Sequence, residues 1–313
     1  MVKITGFLFA AILSLSLNPA AYCQDKIDNK DDAPLFISAC PAWVKYAEQF
    51  MPSVLSSMSS VKCPQQITGA LIKTLVADQA GAEPQKIFSV SATTCMAMKY
   101  EARREGMMRK GISDVDSVMT VRELARLIRL YGIDVTNTDL EPADAPMEGH
   151  SSAAALSEVS GGLAEVVIRS LSLLKYQKEA DKQLFKRLRS GGSFRESAIN
   201  MGEIEVKVAV IDGLSGLEKL KEAFESGRKY DLVEVMACPG GCIHGAGLPF
   251  RKAKDDRKSI LKMIWQADET DAVSLPCKSP LLVNFYEKLL RENKEIADKK
   301  IFYTHFEKRN VLL

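Results

Sequence analysis

Seven cysteines stand at positions 23, 40, 63, 95, 238, 242 and 277, too sparse and odd in number for a disulfide-stapled domain. Four of them share a setting. In Cys238-Pro239-Gly240-Gly241-Cys242 two thiols flank a Gly-Gly spacer. Such a spacer lets the backbone fold closely around an inorganic core, with amide N–H groups turned toward sulfur. Cys40, Cys95 and Cys238 each follow an apolar strand-like run, and Cys242 adds a fourth ligand nearby. Four thiolates are what a [4Fe–4S] cluster requires, and N–H···S bonds help tune its potential. A zinc site made of four cysteines is the alternative, but zinc usually brings paired short spacings and only one close pair exists here. Spacing therefore favours the cluster. For any single cysteine the plain alternative is a free thiol packed as a small hydrophobe, and Cys63 and Cys277 are read that way.

The elements that must position these thiols alternate. Strands are predicted over Pro34–Ser38, Lys86–Ser91 (buried), Ser117–Met119, Glu203–Ile211 and Tyr230–Ala237. Helices are predicted over Trp43–Met51, Gln66–Ala80 after a first-turn Pro64, from Tyr100, and over Leu214–Phe224. Thr120-Val121-Arg122-Glu123 is a capping box ahead of Leu124, Leu127, Ile128 and Tyr131, an apolar stripe read as core packing. Residues 138 to 160 read as loop, and Gly161-Gly162 opens a helix to about Tyr176. Strands separated by helices imply α/β architecture: mostly parallel sheets flanked by helices, with ligands at the carboxyl ends of strands.

At 313 residues with 46% hydrophobic and 26% charged residues, the chain has the composition of an ordinary globular protein. A net charge of +2 and the lack of a basic stripe argue against nucleic acid as a partner. Lys3, the apolar run Ile4–Leu17 and the small residues after it read as a signal peptide. The reading divides the chain into a signal-peptide-like segment (1–23), a linker (24–33), an iron–sulfur domain (34–250) and a helical C-terminal extension (251–313).

Three motifs resemble the large chain of the [FeFe]-hydrogenases. Ile37-Ser38-Ala39-Cys40-Pro41-Ala42-Trp43 resembles that family's T-S-C-C-P-x-W. Thr93-Thr94-Cys95-Met96-Ala97-Met98-Lys99-Tyr100-Glu101 resembles its M-P-C-x-x-K-x-x-E, and Glu234–Cys242 nearly repeats its third motif. Lys62, Pro64-Gln65-Gln66 and Gly161-Gly162 are also family-like, and the tail from Tyr303 to Phe306 is similar to the family's small-subunit segment. The resemblance implies an H-cluster-domain fold and a [4Fe–4S] cube on Cys40, Cys95, Cys238 and Cys242. It further implies that Cys242 bridges to a two-iron subsite carrying CO, cyanide and an azadithiolate. Met236, Pro64 and Gln65 would line the cofactor, and the implied reaction is reversible reduction of protons to H2.

Departures point the other way. Ala39 replaces the proton-shuttling cysteine, and a methyl group cannot carry a proton. Met98 replaces the lysine that anchors a cyanide, Ser157 replaces an aromatic residue, and a family lobe ahead of the first motif is absent. No catalytic residue is therefore assigned. The expectation is a slow or sensory hydrogenase-like protein. It would take electrons from a redox partner or ferredoxin-like donor, with a second chain supplying the missing lobe. The alternatives are a hydrogenase-like iron–sulfur assembly scaffold without H2 chemistry, or a truncated inactive homologue. The signal-like start points to export, and the resemblance alone points to the cytoplasm.

Overall fold

The computed structural model describes residues 33–139, 151–249, 255–280, 283 and 301–311. The signal-like segment, all of the linker but Ala33, His150 and much of the C-terminal extension lie outside these residues.

In chain order the principal elements begin with β1 (Leu35–Ile37), α1 (Pro41–Phe50) and α2 (Pro64–Leu71). β2 (Val90–Thr93), α3 (Ala97–Glu101), β3 (Met108–Arg109), β4 (Ile112–Ser113), β5 (Ser117–Thr120) and α4 (Val121–Leu130) follow. After them come α5 (Ala153–Leu156), α6 (Gly162–Tyr176), β6 (Phe194–Met201), β7 (Ile204–Asp212), α7 (Leu217–Glu225), β8 (Leu232–Met236) and α8 (Asp255–Thr270).

The main sheet has the order β1-β8-β7-β6, with β1, β8 and β7 parallel. On one face Leu35, Ile37, Val206, Val208 and Val210 pack on Leu163, Val167, Ile168 and Leu171 of α6. On the other, Phe36, Ala209, Ile211, Val233 and Val235 pack on Trp43 of α1 and Leu217, Leu220 and Ala223 of α7. Covering both faces explains why β8 is buried at every position.

Several expectations need correcting. β6 is absent from the sequence reading because Arg195, Glu196, Ser197 and Asn200 interrupt its apolar pattern. It pairs antiparallel with β7 through a tight turn at Gly202, whose φ of +69° favours glycine. The strand expected over Lys86–Ser91 begins at Val90 instead, and it is not a buried one: Phe88 is 72% and Val90 52% exposed. Among the described residues its sheet holds β2 and β5, paired in parallel, and β2 borders an open cavity. Residues 153 to 156 of the expected loop form the short helix α5, whose Ala153 and Leu156 are fully buried.

α4 carries the expected capping box, with Thr120 and Glu123 bonded reciprocally. Its stripe, however, is not core: Leu127, Leu130 and Tyr131 are exposed and no residue of the helix is buried. Amphipathic spacing defines a face but does not supply what covers it. The helix begun by Pro64 at its first turn runs through a π-helical turn at Ile72–Val76 to Ala80, where left-handed Gly81 ends it.

Candidate metal centre

Strand ends deliver three of the four thiols. Beyond β1 the Ser38 hydroxyl donates to the Val235 carbonyl at 2.6 Å and accepts from the Cys40 N–H at 3.0 Å. Cys40 so becomes the N-cap of α1, with Pro41 at the first helical position. The same two-residue device follows β2, where Thr93 Oγ1 accepts from the Cys95 N–H at 3.2 Å. β8 ends at Met236, two residues before Cys238.

The loop to the fourth thiol depends on its glycines. Gly240 and Gly241 have φ of +85° and +92°. The Gly240 N–H donates to Asp212 Oδ1, the Gly241 N–H to the Cys238 carbonyl at 2.9 Å, and the Cys242 N–H to the Glu158 carbonyl at 2.7 Å. A Cβ on Gly241 would stand 2.5 Å from the Glu158 carbonyl oxygen. His244 donates from Nδ1 to the Pro239 carbonyl at 2.8 Å and pins the loop.

Buried Glu234 ties this loop's supports together. Its carboxylate accepts from the Gly161 N–H at 2.7 Å and the Ala164 N–H at 2.8 Å, anchoring the start of α6 to β8. Burial pushes its pKa up to about 7.

Together these segments bring Cys40, Cys95, Cys238 and Cys242 around one small void, with Met98 and Met236 also in its wall. Among the described residues no three Cys, His, Asp or Glu groups close on a single ion. Burial and mutual repulsion push Cys95 up to about 11. Cys238 rises for the same reasons, and Cys242 through burial, Glu158 and the neighbouring thiols. Loading with metal would therefore release protons.

Cys95 and Cys242 also border a larger cavity of about 490 Å³. Ala39, Pro64, Gln65 and Met98 line it. Met236 does not: as the last residue of the central strand β8 it is buried against the smaller void. Lys99 gives no substitute for the missing lysine, because its ammonium pairs with Glu123 at 2.6 Å.

The sequence reading missed one pair. Cys63 is buried, and its thiol is not merely packed as a hydrophobe but donates to Glu101 at 2.6 Å. The one available signal was that Cys63 immediately precedes the family-like Pro64-Gln65-Gln66 and that Glu101 ends the second motif.

Residues 6–246 match the family described as the iron only hydrogenase large subunit, C-terminal domain. That match starts inside the apolar run read as a leader. Iron hydrogenase 1 of Clostridium pasteurianum is 31% identical over 312 residues, covering 98% of this chain and 54% of that protein. Protein NAR1 of Arabidopsis thaliana is 30% identical over 304 residues, 91% of this chain and 64% of that protein. An apo [FeFe]-hydrogenase HydA1 of Chlamydomonas reinhardtii shares the fold with a TM-score of 0.83 at 23% identity, over 99% of this chain and 85% of that one. The chain spans about half the length of the first curated relatives it matches.

Proposed function

Because the chain belongs to the iron-only hydrogenase large-subunit family, and so is a hydrogenase-like iron–sulfur protein, we propose that Cys40, Cys95, Cys238 and Cys242 hold one [4Fe–4S] cluster. The observation that carries this reading is the wall of thiols: four of them, from three strand ends and a Gly-Gly loop, face one void. When bound, the cube supplies a one-electron redox centre. The chain's own residues hold and enclose it. Ser38 and Thr93 fix the approach of Cys40 and Cys95, Glu158 and Asp212 fix the loop of Cys238 and Cys242, and Met98 and Met236 exclude water.

A redox partner of the ferredoxin type would exchange electrons with the cube. A second polypeptide over β2, β5 and α4 is supported by the exposed Phe88, Val90, Leu130 and Tyr131 and by the rule that parallel sheets are covered on both faces.

Slow or sensory H2 chemistry at a two-iron subsite is the second reading, and it requires the cavity that borders Cys242 to accept that group. A role in iron–sulfur assembly is supported by Ala39 and Met98, and by the likeness to NAR1 and to the mouse cytosolic iron–sulfur assembly component 3, 29% identical. Anaerobic reconstitution with iron and sulfide tests the shared premise. Four irons and four acid-labile sulfides per chain are expected, and stoichiometric zinc without sulfide would contradict it.

A further inference from the structure

The cavity beside Cys242 is a poor host for an anion. Its lining includes no lysine, arginine or histidine. Most of its hydroxyl and amide donors are already committed to protein acceptors. Ser157 Oγ donates to the Ala153 carbonyl at 2.8 Å and Ser89 Oγ to the Asp114 carbonyl at 3.1 Å. Ser91 Oγ donates to Gln65 Oε1 at 2.8 Å, and Gln65 Nε2 turns to the Met98 carbonyl at 3.5 Å.

Glu158, meanwhile, is an acid in the same wall. Its side chain is exposed, and its backbone carbonyl accepts from the Cys242 N–H at 2.7 Å, which holds it beside that thiol. A two-iron group with cyanide ligands carries negative charge, and anions in enclosed sites need cations or donated hydrogen bonds. Here such a group would meet a carboxyl, no cation, and hydroxyl and amide donors that mostly point to protein acceptors.

We propose that this cavity rejects an anionic two-iron group, and that Glu158 together with the missing cation at Met98 is the reason. The inference rests on the cube reading, because the group would attach through Cys242.

The experiment separates the two. Iron and sulfide are counted first, in wild type, Glu158→Gln and Glu158→Gln/Met98→Lys; a sample without four of each contradicts the cube reading itself. A synthetic two-iron azadithiolate complex with CO and cyanide is then added, excess is removed, and infrared spectra and iron content are recorded. Wild type should keep four irons and show no sharp CO or cyanide bands. The double variant should gain two irons and those bands. Bands in wild type overturn the proposal. Cube-loaded variants that stay as empty as wild type overturn the role given to Glu158 and Met98.

Discussion

The Cys63 thiol donates to the Glu101 carboxylate at 2.6 Å, and both residues are buried. Neither belongs to the thiol quartet, yet Cys63 Sγ reaches Met98 Sδ at 4.0 Å, and Met98 stands in the wall of both the void and the cavity. Burial pushes Glu101 from 4.5 up to about 7, against the hydrogen bond from Cys63 and the charge of Arg104. Between those values the folded chain holds a proton that the unfolded chain releases. Stability is thus fully present below the lower value and falls as pH rises toward the upper one. Glu101→Gln cannot ionise and should escape the loss. Its stability relative to wild type should improve by up to about 3 kcal/mol between about pH 4 and about pH 8. Urea melts at both pH values measure this, and parallel pH slopes would contradict it.

Glu234 is expected to be a structural anchor. Glu234→Ala would orphan the buried Gly161 and Ala164 N–H groups and leave a cavity, costing about 2–4 kcal/mol. Because the chain at Val159 bridges Gly241, the variant should also retain less iron after reconstitution. Thermal melts and iron analysis read the two effects, and a loss below about 0.5 kcal/mol would refute the anchor.

Gly241→Ala should be worse tolerated than its size suggests. The new methyl would meet the Glu158 carbonyl oxygen at 2.5 Å in a backbone conformation that L side chains rarely adopt. A cost of about 1–3 kcal/mol and reduced cluster loading are expected. Gly132→Ala, also at positive φ but with nothing within 4 Å, should load iron normally; equal iron loss in both would remove the steric explanation.

The apolar face of α4 yields a prediction of opposite sense. Leu130→Ser and Tyr131→Ser should leave the melting temperature of the isolated chain nearly unchanged, within about 0.5 kcal/mol, because both side chains are exposed. Thr120→Ala should cost about 1 kcal/mol, since it removes the helix cap. If the serine variants destabilise more than the cap variant, the face is covered within the chain itself.

Much of this was legible in the residues and some was not, for physical reasons. β1, β7 and β8 are apolar runs because helices cover both faces of their sheet, and Cys40 and Cys238 follow the ends of β1 and β8, while Cys95 follows β2 of a separate sheet. The Gly-Gly spacer was readable because only glycine accepts those two φ values readily. β6 was hidden, since an edge strand interrupted by Arg195, Glu196, Ser197 and Asn200 lacks the apolar run of its neighbours. The α4 stripe misled because periodicity cannot distinguish a face that meets the core from one left open. The Cys63–Glu101 pair joins residues 38 apart through a tertiary contact that no local pattern encodes.

Mössbauer spectroscopy of the iron-reconstituted protein tests the central claim most directly. If Cys40, Cys95, Cys238 and Cys242 together hold a cube, all bound iron should give the delocalised spectrum of a [4Fe–4S] cluster, with its four irons per chain. Replacing any one of the four with alanine should abolish or degrade that spectrum, while Cys277→Ala should preserve it. A spectrum of isolated tetrahedral thiolate iron, or an unchanged cube after loss of Cys95 or Cys242, would contradict the assignment.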